Sequence, residues 1–215
     1  MDRIEALQSS PLFSVLEGED LESLARLFVE RSVPSDTVLF QEGDPADALY
    51  LLLEGKVKVM LTDEEGREVI VSILQRGECF GEMALLDANG RSAQVMTMAQ
   101  ARLLILPRTD FGDWIGRNPN LAMAIIQQLS RRLRHANHTI NNLATQGVQS
   151  RVARVLLEAA EPDGDRFVVT DPPTQADIAS MVGASRERVN RALRALEEQG
   201  ALRFEKQRII ILDQP

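Results

Sequence analysis

The segment from Thr174 to Leu202, TQADIASMVGASRERVNRALRALEEQGAL, contains two short helical patterns separated by a single glycine. Thr174 stands before the first pattern as an N-cap, and Asp177 follows three residues later, as in a capping box. Gly183 supplies a turn, and Ser185 caps the second pattern. A helix, a glycine turn and a second helix in this order predict a helix-turn-helix motif.

The second helix, predicted over residues 186–199, carries polar side chains of the kind that read base edges. Four of them point outward near its N-terminus: Arg186, Glu187, Asn190 and Arg191. Arginine can bond guanine O6 and N7, glutamate can accept from cytosine N4, and asparagine can read adenine. The alternative is a solvated face on which Glu187 and Arg191 merely pair across one helical turn.

A terminal β-hairpin is predicted over residues 200–212, GALRFEKQRIIIL. Its tip, Lys206, Gln207 and Arg208, is expected to meet the sugar-phosphate backbone, since such contacts position a protein while base contacts specify the sequence. Beside the four helix residues, the candidate DNA-binding set contains the following: Thr174, Gln175, Ser185 and Lys206.

The net charge of −8 hides a gradient along the 215 residues. Residues 148–215 carry 10 basic and 11 acidic side chains, which leaves 14 and 21 for residues 1–147. Within the second part, residues 185–196 hold four arginines against one glutamate. Because phosphate attraction depends on the local field, the negative total does not exclude a nucleic-acid partner.

Between Asp36 and Leu106, short apolar segments alternate with glycine-containing turns at the spacing of an all-β sandwich or barrel. Lys56–Leu61 and Val69–Leu74 form a predicted hairpin around the turn TDEEGRE. This pattern indicates a β-roll, preceded by a short amphipathic helix over Asp20–Val29 that lies against the strands.

A long helix is predicted to begin at Pro119 and to be interrupted at Gly147, the expected hinge. Apolar residues recur along it at alternating gaps of four and three: Ala122, Ile126, Leu129, Leu133, Ala136, Ile140 and Leu143. We call this set the heptad seam. A 3.5-residue repeat over three heptads favours a two-stranded coiled coil and hence a homodimer. The alternative is a helix packed on its own β-domain, which would show a broader apolar stripe.

The stretch Phe80–Ala93, FGEMALLDANGRSA, places Gly81 and Glu82 before a short turn and Arg91 and Ser92 after it. In a β-roll this arrangement forms a pocket lined by backbone N–H groups. Arg91 offers a charged fork to a phosphate, Ser92 a hydroxyl, and Glu82 an acceptor for a ribose hydroxyl. The alternative is a Glu82–Arg91 ion pair that only closes a hairpin.

Other classes of protein are disfavoured by what the sequence lacks. The single cysteine, Cys79, cannot form an internal disulfide or a thiolate metal cage, and it is expected to be a small buried side chain. His135 and His138 are interpreted as helix-surface groups, so we expect no metal, iron–sulfur cluster or haem. We find no catalytic constellation, so no enzyme is predicted. The polar N-terminus and the lack of a long apolar run indicate a cytoplasmic protein without membrane contact.

Over nearly its whole length the chain resembles the CRP/FNR family of bacterial transcription regulators. Residues 49–86 resemble the cyclic-nucleotide-binding β-roll, and residues 174–202 resemble the winged helix-turn-helix of the family. The expected fold is therefore α+β, with a β-roll (jelly roll) domain over residues 1–117, a dimerisation helix over 118–146 and a DNA-binding domain over 147–215. The resemblance implies an effector-gated homodimer that works with RNA polymerase as an activator or repressor.

The resemblance also implies site residues. Arg186, Glu187 and Arg191 match the base-reading positions of the CRP branch, which implies a pseudo-palindrome with half-sites resembling TGTGA. The phosphate-binding cassette of the family is matched as follows: Gly81, Glu82, Met83, Arg91, Ser92 and Ala93. This match favours cAMP as the effector.

The identity of the effector stays open at this point. Where the cAMP receptor has a Thr-Ser pair that contacts adenine, this chain has Ala136 and Asn137, and the Asn137 amide is suited to a guanine. Cyclic di-GMP is the leading alternative, followed by an effector-independent regulator. Two other classes are a nucleotide-binding module that docks a protein partner and a constitutive repressor with a vestigial pocket.

Overall fold

The computed structural model describes residues 3–66, 68–87, 89–164, 166–206 and 208–212. Two compact units divide the chain. The first extends to residue 135 apart from residues 68–70, and the second comprises those three residues and the chain from 136 onward. The division falls within the long helix, and the three domain ranges given above stay predictions.

The first unit is a β-roll with helices at its start and end. Its elements are α1 (Arg3–Ser9), α2 (Gly18–Leu27), β1 (Val29–Val33), β2 (Val38–Phe40), β3 (Ala48–Glu54), β4 (Val57–Thr62), β5 (Glu68–Leu74), β6 (Cys79–Phe80), α3 (Met83–Leu86), β7 (Gln94–Thr97), β8 (Ala101–Pro107), α4 (Arg108–Arg117) and the first part of α5 (Pro119–Thr145). The strands form two four-stranded sheets, in the orders β1-β8-β3-β6 and β2-β7-β4-β5. The predicted β-roll is confirmed.

Strand β3 explains why this part of the sequence reads as a continuous apolar run. Its side chains alternate between two cores, and six of its seven residues are buried. Leu49, Leu51 and Leu53 pack on the core shared with the helices. Tyr50 and Leu52 pack on the core between the sheets. A strand buried on both faces needs apolar side chains at every position, so it lacks a two-residue alternation.

The helix before the sheet is α2, which ends at Leu27 and not at Val29 as predicted. Phe28 is extended, and Val29 begins β1, which pairs with β8 through Val29 and Ile105. We did not predict β1 because only the last of its five residues is buried. An edge strand with such a pattern carries little of the alternation by which strands are recognised.

The second unit contains the end of α5 and a separate α+β core. Its further elements are α6 (Val148–Glu158), β9 (Glu161–Asp163), β10 (Arg166–Val169), α7 (Gln175–Val182), α8 (Arg186–Glu198), β11 (Leu202–Glu205) and β12 (Arg208–Ile211). The sheet order is β11-β12-β10-β9. The three residues of β9 are exposed, and they form a strand through their pairing with β10.

The helix-turn-helix is formed as predicted by α7 and α8. The Thr174 hydroxyl accepts from the Asp177 N–H at 3.1 Å, and the Ser185 hydroxyl accepts from the Arg188 N–H at 3.4 Å. Gly183 ends α7 with a φ of +60°, which glycine adopts without the steric cost that a Cβ brings. Apolar residues of α6, α7, α8 and the sheet form the core of this unit.

Within the described part of the chain, none of the helices is both long enough and apolar enough to cross a membrane.

The turn between β3 and β4 yields a test of the β-roll packing. A Cβ on Gly55, at a φ of +88°, would lie 2.5 Å from the Gln100 carbonyl oxygen. Gly66 has a similar φ of +77° but has nothing within 4 Å of the same position. We expect Gly66→Ala to lower the free energy of unfolding by about 1 kcal/mol, and Gly55→Ala to lower it by at least about 1 kcal/mol more.

Urea unfolding followed by the fluorescence of the single tryptophan measures this difference. Trp114 packs against the core of the first unit, so its emission reports on that unit. Equal losses in the two variants would contradict the close approach of Gly55 to the neighbouring backbone.

Candidate effector site and nucleic-acid interface

The candidate pocket begins where β6 ends and the backbone turns at Gly81. The φ of Gly81 is +84°, and a Cβ there would lie 2.5 Å from Nη1 of Arg91. Glycine is therefore required both by the backbone conformation and by the close approach of the arginine. α3 then forms a single helical turn, as predicted, before the chain returns to Arg91.

The Arg91 side chain lies inside the β-roll, with only 2% of the residue exposed. Its Nη1 donates to the Gly81 carbonyl at 2.9 Å, and its Nη2 donates to the Ala48 carbonyl at 2.9 Å and to Asp47 Oδ1 at 2.7 Å. The guanidinium also lies 4.2 Å from the centre of the Phe40 ring. These contacts hold a positive charge in one orientation, as an anion site requires. Within the described residues, its buried Nε has no hydrogen-bond partner.

Glu82 is a buried carboxylate, with 1% of the residue exposed. Its Oε1 accepts from Arg132 Nη1 at 2.5 Å, while its buried Oε2 has no partner among the described residues. Arg132 also donates through Nη2 to the Cys79 carbonyl at 2.5 Å. Since Glu82 pairs with Arg132 and Arg91 with Asp47, the alternative of a Glu82–Arg91 ion pair is wrong.

The other predicted pocket residues differ in exposure. Ser92 and Met83 are exposed, and the Ser92 hydroxyl contacts the Met83 sulfur at 3.7 Å. Ala93 is buried. Asn137 is exposed on α5. The binding roles assigned to these residues stay predictions.

Sequence reasoning missed Asp47 and Arg132 as partners of the two buried charges. Asp47 gave no signal, since it is an exposed carboxylate in a loop before β3. The position of Arg132 in the sequence did carry a signal. Arg132 lies on a second stripe of α5, which begins with the buried Leu121 and Ile125. Gln128 and then Arg132 continue this stripe at the same helical spacing. A residue on that stripe is positioned to face the β-roll and not the heptad seam.

Cys79 precedes this pocket and is buried, as predicted. Burial raises the pKa of its thiol to about 12, because a thiolate loses its hydration there. The Ser10 hydroxyl lies 3.4 Å from the sulfur. His135 and His138 are exposed on α5, as expected of helix-surface groups.

The candidate nucleic-acid interface is an open groove on the outer face of α8, to which α7 contributes one residue. It is lined by Gln175, Arg186, Glu187, Asn190, Arg191, Arg194, Ala195 and Glu198. Glu187 and Arg191 form the expected ion pair at 2.7 Å, with both side chains largely exposed. The Asn190 Nδ2 donates to Gln175 Oε1 at 3.2 Å. The structure thus brings five of the predicted DNA-binding residues together.

Three further predicted DNA-binding residues lie outside this groove. The hydroxyls of Thr174 and Ser185 are used as helix caps. Lys206 is exposed in the β11–β12 turn, with a φ of +52°. Arg208 is exposed at the start of β12, whereas Gln207 lies outside the described residues.

The DNA-binding residues predicted from the sequence did not include Arg194 and Glu198, which line the groove one and two turns further along α8. The spacing of 187, 191, 194 and 198 follows one face of a helix and would have identified them. Arg194 adds a third arginine to the groove and Glu198 a second carboxylate, so arginines still outnumber carboxylates there.

Profiles of two protein families match the two parts of the chain. The cyclic nucleotide-binding domain matches residues 30–118, and the Crp-like helix-turn-helix domain matches residues 150–215. The protein is thus a DNA-binding transcription regulator with a cyclic nucleotide-binding domain, and not an enzyme. A CRP-like cAMP-activated global transcriptional regulator of Mycobacterium tuberculosis is 32% identical, over 97% of this chain and 95% of its own length. The chain belongs to the CRP/FNR family.

Further relatives support this assignment. A cyclic AMP receptor protein of Thermus thermophilus is 36% identical, over 92% of this chain and 90% of its own length. The crystal structure of the Thermus thermophilus catabolite activator protein superposes with a TM-score of 0.57 at 34% identity and covers 94% of each chain. The c-di-GMP responsive regulator CLP of Xanthomonas campestris shares the fold, with a TM-score of 0.79 at 24% identity over 92% of this chain and all of its own.

The pKa of Cys79 leads to a test of the packing beside the pocket. Because the folded state keeps the thiol protonated, its contribution to stability is complete below the ordinary thiol pKa of about 9 and is lost as pH rises toward 12. We expect the thiol to resist a chromophoric disulfide reagent at pH 8 until urea unfolds the protein. Between pH 8 and pH 10.5, wild type should lose more stability than Cys79→Ala. Rapid labelling of the folded protein would contradict the burial of Cys79.

Proposed function

We propose that this regulator is a homodimer that binds cAMP in the β-roll and, when bound, recognises a pseudo-palindromic DNA site. The observation that carries the proposal is a pair of buried charged residues, Arg91 and Glu82, on the two sides of Gly81. Each has a buried polar atom that no described residue satisfies. A buried polar atom without a partner costs about 1–3 kcal/mol, so a ligand that supplies the missing partner gains that amount.

The pocket residues fit the two polar parts of a cyclic nucleotide. Arg91 presents fixed N–H groups and a positive charge to the phosphate, and Gly81 lets the backbone approach it. Glu82 Oε2 accepts from a ribose hydroxyl, while Oε1 stays bonded to Arg132. The exposed Asp47 competes with the phosphate for Arg91, but an ion pair with one partner exposed is worth little.

Two relatives support cAMP as the effector. One is a cAMP-activated regulator, and the other is a cyclic AMP receptor protein. At the positions that match the adenine-contacting Thr-Ser pair of the cAMP receptor, this chain has Ala136, which lacks a hydroxyl, and Asn137, which carries an amide. For this reason cyclic di-GMP belongs in the same titration, and so does cGMP.

The heptad seam supports a dimer because much of it is exposed while the neighbouring stripe is buried. The exposed fractions are 54% at Ile126, 63% at Leu133 and 64% at Ile140. Leu121 and Ile125, on the other face of the same helix, are almost completely buried. Large apolar side chains repeated every seven residues on a solvated face are typical of a coiled-coil partner surface.

DNA recognition is assigned to the groove on α8, with half-sites resembling TGTGA. Effector binding shifts the population of dimers toward one in which the two recognition helices lie about one DNA turn, roughly 34 Å, apart. Its differential affinity for the two arrangements supplies the switch. The dimer acts on chromosomal DNA in the cytoplasm, together with RNA polymerase.

Replacing Arg91 tests the effector site. We expect Arg91→Ala to weaken cAMP binding at least tenfold, because the phosphate loses a charge-assisted bond worth about 1.5–3 kcal/mol. Arg102→Ala is the matched control, since Arg102 binds Glu30 and Glu54 on the roll surface. Isothermal titration with cAMP, cGMP and cyclic di-GMP measures all three affinities. An unchanged titration of Arg91→Ala would reject the pocket, and failure of all three nucleotides to bind wild type would favour the effector-independent alternative.

Replacing Leu133 tests the dimer. We expect Leu133→Lys to shift the protein toward monomer, because two lysines would face each other where apolar side chains pack. Asn141→Lys places the same charge on an exposed position of α5 outside the seam and should leave the dimer intact. Sedimentation equilibrium distinguishes the two outcomes. A wild-type monomer at micromolar concentration would disprove the seam assignment.

Replacing Arg191 tests base recognition. We expect Arg191→Ala to lower the preference for a selected duplex over a scrambled one by about 1–3 kcal/mol, the value of one bidentate base contact. Gel-shift titrations at two salt concentrations measure the preference and separate it from the phosphate contribution. A fully retained preference would remove Arg191 from the base-reading set. Wild type with no salt-dependent affinity for DNA would favour the protein-docking alternative.

A further inference from the structure

We propose that Gln175 and Asn190 form one base-reading unit, in which Gln175 orients the Asn190 amide so that it selects an adenine. The proposal rests on the assignment of DNA recognition to the α8 groove and names one base contact within it. Asn190 is the residue that touches the base, and Gln175 is a positioning residue.

The two amides come from different helices and meet in the groove. Gln175 is the first residue of α7 and is exposed, while Asn190 lies one turn into α8 and is half-buried. Asn190 Nδ2 donates to Gln175 Oε1 at 3.2 Å. Both side chains line the groove that also contains Arg186, Glu187 and Arg191.

This bond decides which edge Asn190 presents. A carboxamide has one acceptor oxygen and two N–H donors, and one donor of Asn190 is used by Gln175. The remaining acceptor and donor match adenine N6 and N7 in the major groove. Guanine offers acceptors at both of its positions, so the Asn190 oxygen would face guanine O6 without a hydrogen bond.

The bond to Gln175 also opposes rotation of the Asn190 amide. A free asparagine can turn its amide by 180° and exchange the positions of oxygen and nitrogen. If Asn190 alone did so here, its oxygen would face the Gln175 oxygen, and the hydrogen bond would be kept only if the Gln175 amide turned at the same time. The glutamine thus makes the base preference sharper than an unsupported asparagine would provide.

The position of Asn190 on α8 predicts where the adenine lies in the half-site. Asn190 directly precedes Arg191 and lies about one turn after Glu187. Glu187 and Arg191 form an ion pair with each other on the same face. We therefore expect the adenine to be in a base pair next to those read by Glu187 and Arg191.

The experiment uses the full-length protein and a library of DNA duplexes with randomised central positions, with the effector present if wild type needs one. Wild type defines the selected site, and duplexes with single base-pair changes are then compared by competition. Three variants are compared: Asn190→Ala, Gln175→Ala and Gln175→Glu. Gln149→Ala is the matched control. It removes a similar hydrogen bond between two side-chain amides, from Gln149 Nε2 to Gln199 Oε1 at 2.8 Å, which lies outside the groove.

We expect Asn190→Ala to lose roughly a tenfold preference for adenine at one base pair and to keep the preferences elsewhere. Gln175→Ala should weaken the preference at that same base pair. Gln175→Glu should restore it, because a carboxylate still accepts from Asn190, while its negative charge lowers the affinity for all duplexes alike. Gln149→Ala should match wild type at every position.

Three results would overturn the proposal. One is a selected site whose preferences are unchanged in Asn190→Ala. Another is a loss of base preference in Gln175→Ala that is spread evenly over the site or is not restored in Gln175→Glu, because a purely structural role of Gln175 would give that result. The last is a wild type that selects no sequence at all, which would refute the proposed DNA recognition as well. A site that is selected by wild type but ignores Asn190 leaves that recognition intact and rejects only this inference.

Discussion

The ion pair between the buried Glu82 and the half-buried Arg132 is the contact that joins the candidate pocket to α5. A carboxylate with 1% exposure must be paired, because an uncompensated buried charge costs several kcal/mol. Its partner comes from α5, and the same guanidinium bonds the Cys79 carbonyl at the end of β6. Gln128 Nε2 donates to the same carbonyl at 3.4 Å, so two side chains of α5 connect the long helix to the strand that leads into the pocket. The residue after Arg132 is Leu133, which belongs to the heptad seam.

The two faces of α5 follow from the same periodicity. Side chains at Leu121 and Ile125 pack into the core of the β-roll, and the stripe continues through Arg132 to the pocket. The heptad seam runs along another face, on which Ile126, Leu133, Ile140 and Leu143 are exposed, while Leu129 packs partly against the core of the first unit. One helix thus carries a polar contact to the nucleotide-binding domain and an apolar surface suited to a second copy. If the protein dimerises as proposed, this helix connects the candidate pocket to the dimer contact, and a ligand that binds two dimer arrangements differently would change their populations.

Charge is distributed unevenly between residues 1–147 and the helix-turn-helix part of the chain. The net charge of −8 arises almost entirely from residues 1–147, so the candidate effector pocket around Arg91 lies in an acidic part of the chain. In the second unit, Arg186, Arg191 and Arg194 line the candidate DNA-binding groove together with Glu187 and Glu198, so arginines outnumber carboxylates there.

The sequence by itself determined the β-roll, the long helix and the helix-turn-helix in that order, the caps at Thr174 and Ser185, the glycine turn at Gly183 and the apolar repeat of the heptad seam. These features depend on residues close together in the chain, so their patterns can be read directly. It also placed Gly81, Glu82 and Arg91 in one segment. Only the tertiary structure decided that Arg91 pairs with Asp47, that Glu82 pairs with Arg132, and that Gln175 meets Asn190. Each of these contacts joins side chains from different elements, and no local periodicity encodes which distant group satisfies a buried charge or orients an amide.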